Sequence, residues 1–279
     1  METERHEESR ALWDQMAPGW DRNRDFMWRT TRHVAEWLVD QVHPAAGHTI
    51  LDVAGGPGEI GFLAAKRVGP AGRVIETDFS PQMVAAARRR ASELGLGNIE
   101  TRVLDAQQMD LEVGSVDGIV CRWGFMLMDD PQTALAGCRR VLKEGGRLAL
   151  SVWGGVDKNP WVTIPGMTMV QLGHQPGGDP FGPGGMFSMS DPETVRGMLD
   201  QAGFSDIVIE EMPVDWRYGS FDEAWDFMTQ VAGAIATVIE ELSPADVTEL
   251  RAQLEANMQS FGSSEGLTLP GVTINASGS

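Results

Sequence analysis

The chain has 279 residues, and 22 Lys and Arg stand against 40 Asp and Glu, a formal net charge of −18 at pH 7. That balance argues against a nucleic-acid partner, because binding a polyanion is led by Lys and Arg. An apolar fraction of 42% supports a sizeable core in one large domain, or one domain with a lid, and no apolar run reaches membrane-spanning length.

In chain order, Glu4 to Ala17 reads as a helix with Leu12, Trp13 and Met16 on one side, then a turn at Pro18-Gly19, then Trp20. Met1 to Arg10 is charged and has no apolar signal core. Cys121 and Cys138 are too few for a disulfide framework, so a cytoplasmic protein is the expectation. Asp25 to Val42 has helical spacing at Val34, Leu38 and Val42, and His33 beside that stripe reads as structural. Thr49 to Val53 is a short buried strand that runs into Gly55-Gly56-Pro57-Gly58, and a helix over Glu59 to Arg67 follows at once. A strand ending in glycines that opens a helix is a nucleotide-binding turn, where missing side chains expose backbone and the helix N-terminus offers free N–H groups. Gly56-x-Gly58-x-x-Gly61 formally fits the dinucleotide fingerprint. Asp52, just before the glycines, points elsewhere: a carboxylate repels pyrophosphate and attracts an ammonium or sulfonium.

Val74 to Thr77 is the next strand, with Asp78 at its end. Ser80 and Pro81 start a helix that closes at Gly95 to Gly97. Thr101 to Leu104 and Val116 to Cys121 are further strands, and Arg122 to Met126 is the loop after the second. Asp130 and Pro131 open a helix whose buried face carries Leu135 and Cys138, and Arg147 to Trp153 is a fifth strand. Strands alternating with helices imply a doubly wound, mostly parallel sheet whose ligands lie beyond the strands' C-terminal ends. Asp52, Asp78, Asp105 and Arg122 all fall at such ends. Beyond Trp153, Gly173 to Gly185 reads as a mobile loop carrying His174, Asp179 and Phe181. Ser190 and Glu193 form a capping box, and so do Ser220 and Glu223. A long stripe runs from Phe221 through Trp225, Met228, Ala232 and Ile235 to Ile239. Ser243-Pro244 begins its partner helix, Ile207 to Ile209 is a sixth strand, and Leu267 to Asn275 reads as the last one.

Taken together, Asp52-Val53-Ala54-Gly55-Gly56-Pro57-Gly58, Asp78-Phe79-Ser80-Pro81-Gln82-Met83, Asp105-Ala106, Asp117-Gly118-Ile119-Val120 and Arg140-Val141-Leu142-Lys143-Glu144-Gly145-Gly146-Arg147 resemble the class I S-adenosylmethionine-dependent methyltransferases. The nearest likeness is to the ubiquinone/menaquinone C-methyltransferase group. It covers Trp13 to Val152 well and the remainder loosely, with Ala54 where relatives carry glycine and Trp20 where they often carry tyrosine.

The resemblance implies a Rossmann-like seven-stranded sheet with helical lid insertions. Residues 1–45 would form an N-terminal helical lid and 46–153 the S-adenosylmethionine-binding core. Residues 154–190 would be a mobile substrate lid, and 191–279 the rest of the sheet with a helical insertion at about 221–260. It implies that Asp78 accepts both ribose hydroxyls, that Asp105 accepts the adenine amino proton beside the Ala106 N–H, and that Asp52 orients the cationic methionine end. Phe79 and Met83 would pack on the adenosine. Trp20, Ala54, Gly55, Gly56, Gly58, Arg122 and Trp123 complete the expected cofactor set, and S-adenosylhomocysteine would be the product.

The acceptor site is less legible. Large apolar side chains at Phe125, Met126, Trp161, Phe187, Trp225 and Met228 suit a small hydrophobic or aromatic substrate methylated at carbon or oxygen. His174 is the candidate base, ahead of Tyr218, Asp179 and Asp222. No metal is required, and a homodimer stays open. Two other classes compete: a non-methylating binder of the same cofactor, and an NAD-dependent oxidoreductase.

Overall fold

The computed structural model describes residues 2–174 and 178–279. Residues 175–177 of the expected Gly/Pro loop lie outside the described residues. Two helices lead the chain, α1 (Glu2–Arg22) and α2 (Arg24–Gln41). The alternating core follows: β1 (Thr49–Asp52), α3 (Glu59–Val68), β2 (Arg73–Asp78), α4 (Pro81–Glu93), β3 (Ile99–Val103), β4 (Val116–Arg122), α5 (Pro131–Val141) and β5 (Leu142–Trp153). The rest comprises α6 (Pro160–Gln171), α7 (Pro192–Gln201), β6 (Val208–Pro213), β7 (Trp216–Tyr218), α8 (Phe221–Val231), α9 (Gly233–Glu241), α10 (Pro244–Met258), β8 (Gly262–Ser263), β9 (Gly266–Leu269) and β10 (Val272–Gly278).

The main sheet has seven strands in the order β3-β2-β1-β4-β5-β10-β6. Neighbours from β3 to β5 are parallel, whereas β10 is antiparallel to both β5 and β6. This is the doubly wound, mostly parallel sheet expected from the alternation. Its central strands are apolar on both faces because helices cover both: Ile50, Leu51, Ile119, Val120, Leu148 and Leu150 are wholly buried. The order reverses between β1 and β4, so a ligand crevice belongs where those two strands end. β7, β9 and β8 form a separate antiparallel sheet.

Four local expectations are corrected. Pro18-Gly19 is no turn, because α1 runs through both residues. Gly19 is needed for close approach: a Cβ there would stand 2.0 Å from the Gln230 carbonyl oxygen of α8. That contact, with Trp20 Nε1 donating to the Val231 carbonyl (3.2 Å), ties the lead helix to α8 and supports a helix that proline weakens. The stripe from Phe221 to Ile239 is split at Ala232 (φ −88°, ψ 76°), beside Gly233, a poor helix former. The last strand is also two: β9 and β10 separate at Pro270-Gly271, where proline lacks a ladder N–H and a Cβ on Gly271 would meet Trp161 at 2.9 Å. Finally, α7 is capped by Asp191, which accepts from the Thr194 N–H, and not by Ser190. Pro192 at the first helical position makes the residue before it the cap.

Candidate functional site

The glycine turn begins where β1 ends. Ala54 (φ 51°), Gly56 (φ 59°) and Gly58 (φ 97°) all take left-handed backbone, a region that a Cβ makes costly. Ala54 therefore holds a conformation that glycine would adopt more freely. The turn is stapled to β2 by Gly55 N–H to the Thr77 carbonyl (2.8 Å) and by Thr77 Oγ1 to the Asp52 carbonyl (2.7 Å). The glycines do not all serve a ligand. Cβ atoms at Gly55 and Gly61 would fall 1.9 and 2.0 Å from the Glu76 carboxyl oxygens, so those two glycines make room for Glu76. Gly58 accommodates the Phe62 ring, whereas a Cβ at Gly56 would meet nothing nearer than Met83 Sδ at 4.0 Å.

Beneath the turn lie three acids. Asp52 and Glu76 are register partners on β1 and β2, 0% and 1% exposed. Burial pushes Asp52 up to about 7 and Glu76 well above the usual carboxylate range, the latter also because Asp52 stands beside it. The Gly61 N–H in the first turn of α3 favours ionised Asp52 without offsetting that cost. Asp78, two residues after Glu76 and on the same face of β2, is 7% exposed. Its Oδ2 accepts from the Gly56 N–H (3.1 Å) and its Oδ1 from the Ser80 N–H (2.9 Å). Burial raises it to about 6, against the pull of those two N–H groups. Each oxygen keeps a lone pair.

One wall is basic and aromatic. Arg122, at the end of β4, donates to Thr31 Oγ1 on α2 and to Glu59 Oε2 (3.4 Å), the first residue of α3. Burial opposes its charge, and Glu59 and Asp52 support it. The guanidinium lies 5.0 Å from the Trp123 ring, which stacks on Trp153 with centroids 4.2 Å apart. Trp123 has φ 59° and gives its indole N–H to Thr273 Oγ1 at 3.3 Å. Trp153 continues the cluster to Trp161 and Trp216.

Across the turn, α1 leans over the ends of β2 and β3. Asp14 accepts from Ser80 Oγ and from the Gln82 N–H. His6 packs on Phe79 (5.5 Å) and brings Nε2 to 3.3 Å from Asp105 Oδ2. Asp105 also accepts from the Gln107 N–H, and Ala106 behind it is buried. Met83 is buried beneath, and Trp20 is half-buried against Trp13. The structure thus gathers Asp52, Ala54, Gly55, Gly56, Gly58, Asp78, Phe79 and Met83 around one turn, with Asp105 and Ala106 on one flank and Arg122 and Trp123 on the other.

The expected acceptor residues are scattered. Phe125 and Met126 are core, and Met126 Sδ accepts from the Trp153 N–H. Trp161 joins the tryptophan cluster and gives its N–H to Asn159. Phe187 packs near Phe181. Trp225 sits against Phe221 with the Arg251 guanidinium 5.6 Å from its ring, and Met228 is buried. Among the base candidates, half-buried His174 follows α6, its backbone N–H bonded to the Met169 carbonyl. Tyr218 is buried against Phe26 and Phe227, which pushes its ionisation far up, and Asp222 is paired with Arg251. Among the described residues no group of three or more His, Cys, Asp or Glu side chains is placed to hold a metal. A cleft of about 620 Å³ between Lys66, Arg73 and Gly95 to Glu100 borders the strands' N-terminal ends, opposite the acids.

Residues 50–146 match the family described as a methyltransferase domain. That match, on the doubly wound seven-stranded sheet, supports a class I methyltransferase domain over those residues. It is 37% identical over 120 residues to a nocamycin O-methyltransferase from Saccharothrix syringae, covering 43% of each chain. It is also 29% identical over 170 residues to a ubiquinone/menaquinone C-methyltransferase from Saccharophagus degradans, covering 57% of this chain and 68% of that one. The chain spans about half the length, or somewhat less, of the first curated relatives it matches. The YcgJ protein from Bacillus subtilis shares this fold, with a TM-score of 0.60 at 17% identity over 88% of this chain and 97% of that one. Sequence reasoning passed over Glu76, Glu59, Thr31 and His6. The signal for Glu76 was present, since acids two apart on a strand share a face; the others are brought in by α1, α2 and α3, which strand-end patterns do not register.

Proposed function

We propose that this chain transfers the methyl group of S-adenosylmethionine to a small hydrophobic or aromatic acceptor, at carbon or oxygen. The observation that carries the reading is Asp78. Two backbone N–H groups fix its carboxylate, and one lone pair per oxygen is left for two neighbouring hydroxyls, a bidentate arrangement that suits a ribose. Glu76 and Asp52 under the turn argue against a pyrophosphate and so against the nicotinamide alternative, since buried acids repel it whenever they ionise. The same acids suit a cationic ligand end.

When bound, S-adenosylmethionine supplies an electrophilic methyl group on a sulfonium. Asp78 then holds the ribose, Asp105 and the Ala106 N–H take the adenine edge in place of the His6 contact, and Asp52 favours the cationic end. Trp123 and Trp153 would exclude water on the other side, closing an apolar wall beside the methyl. The names of the O- and C-methylating relatives support acceptors of either kind. His174 is the base this reading names. His174→Gln should lower turnover without changing cofactor affinity, and unchanged turnover would remove it.

Calorimetry with S-adenosylmethionine, S-adenosylhomocysteine and NADH tests the cofactor: the first two should bind and NADH far more weakly. Release of S-adenosylhomocysteine against a panel of phenols and naphthols tests the acceptor. A tighter NADH complex would sink the cofactor assignment, and turnover with polar amines alone would sink the acceptor class.

A further inference from the structure

We infer that Glu76 is a positioning residue that shares one proton with Asp52 beneath the glycine turn, and that this pair is what separates the charged sulfonium cofactor from its uncharged thioether product. The inference rests on the cofactor reading above. Geometry carries it. Asp52 and Glu76 stand opposite each other on adjacent parallel strands. All four of their carboxyl oxygens are inaccessible to solvent, and none has a well-formed hydrogen bond among the described residues. Two ionised carboxylates have no hydrogen to share, so the doubly charged state would orphan four acceptors in a buried site. One proton between them makes a hydrogen bond and halves the charge. The space for this arrangement is built in, because the Glu76 carboxyl occupies the positions where Gly55 and Gly61 would carry a Cβ.

The surroundings bias the pair without neutralising it. Glu59 on α3 and Asp78 on β2 are acids that favour retention of the proton. Arg122 on β4 pulls the other way, but its guanidinium is already engaged by Glu59 and Thr31. The Cys121 thiol on β4 stays protonated, pushed up by burial and by Asp52. A sulfonium above the turn adds one positive charge beside the pair and offsets part of the cost of its second negative charge, so its binding should expel part of the shared proton. The thioether product lacks that charge. Both ligands carry the same ribose, so any effect of Asp78 titration is common to the two and cancels in their ratio.

The test is calorimetry of S-adenosylmethionine and S-adenosylhomocysteine on the full chain near pH 6, 7 and 8, each in two buffers of different ionisation enthalpy. The wild type should release a measurable part of a proton with S-adenosylmethionine and less with S-adenosylhomocysteine. The ratio of the two affinities should rise by roughly three- to ten-fold across those two pH units. In Glu76→Gln, which keeps the shape and donates to Asp52 permanently, the extra release should vanish and the ratio should become flat. Equal proton release for the two ligands in the wild type overturns the inference even if the variant does not fold, and so does a Glu76→Gln ratio that still rises with pH. If neither ligand binds at any pH, the cofactor reading itself falls and takes this inference with it.

Discussion

The two sides of the switch point are built on opposite principles. The side under β1 and β2 is polar and incompletely satisfied. Among the described residues, the carboxyl oxygens of Asp52 and Glu76 find no well-formed hydrogen bond, the Gly61 N–H only favouring ionised Asp52, and Asp78 spends half its acceptor capacity on backbone. The side beyond β4 and β5 is apolar and closed, with Trp123, Trp153, Trp161 and Trp216 in mutual contact and Trp216 1% exposed. A buried polar group without a partner costs stability, whereas a packed aromatic contributes it. On the proposed reading the acid side stores ligand affinity, whereas the aromatic side stores fold stability. Substitutions should separate the two.

The largest effect belongs to the aromatic side. Trp216→Ala leaves a void that its neighbours cannot fill and should cost ~3–5 kcal/mol of stability. Trp225→Ala should fall in the same range, because that ring is held between Phe221 and Arg251. Denaturant unfolding measures both. In protein that remains folded, S-adenosylmethionine affinity should stay within a few-fold. A stable Trp225→Ala with altered acceptor range would move that ring from the packing to the substrate.

On the acid side, Asp78→Ala removes a charged acceptor, and such bonds are worth ~1.5–3 kcal/mol. Cofactor affinity should drop by roughly ten- to a hundred-fold, read by calorimetry, with a smaller loss of stability from the freed Gly56 and Ser80 N–H groups. Unchanged affinity would take Asp78 out of the site.

The pH dependence of stability sharpens the contrast further. Asp52 and Asp78 are raised in the fold from 3.8 to about 7 and about 6. The folded chain thus binds more protons than the unfolded one between those limits. Their contribution is complete below the unfolded value and is lost as pH rises through the folded values. Stability should fall by roughly 4 kcal/mol between about pH 5 and 8, at ~1.4 kcal/mol per unit over which each acid keeps its proton only in the fold. Asp52→Asn should flatten that slope, seen in melting temperatures across the range, and an equally steep variant would show that the acids do not hold their protons. The smallest effect is Ala54→Gly. It relieves a left-handed alanine but loosens the unfolded chain, so stability should rise by less than ~1 kcal/mol.

Much of the expected cofactor set could be grouped from sequence because it is local. Asp52 and the glycines, Asp78 before Ser80-Pro81, and Asp105-Ala106 each sit within a few residues of a strand end, and a parallel sheet carries all such ends to one edge. Asp78 could be placed from its strand alone. The face of Glu76 could be read from its strand too, but its role could not, because that depends on the register that sets it opposite Asp52 and on glycines 15 and 21 residues away. The acceptor half was less legible for a related reason. A tryptophan in a helix stripe looks the same whether it lines a cavity or fills a core, and only the partner element decides. Trp225 met Arg251 from α10, and Trp161 met Trp153 and Trp216.

By itself the sequence determined the βα alternation, hence the sheet class and the likeness to methyltransferase domains, since these follow from periodicity and short motifs that act over a single turn or strand. The tertiary structure decided that Pro18-Gly19 continues a helix, that Gly55 and Gly61 house a carboxyl, and that four tryptophans close one wall. Each of those outcomes is set by contacts between residues distant in the chain, where packing and the cost of burying charge override local preference.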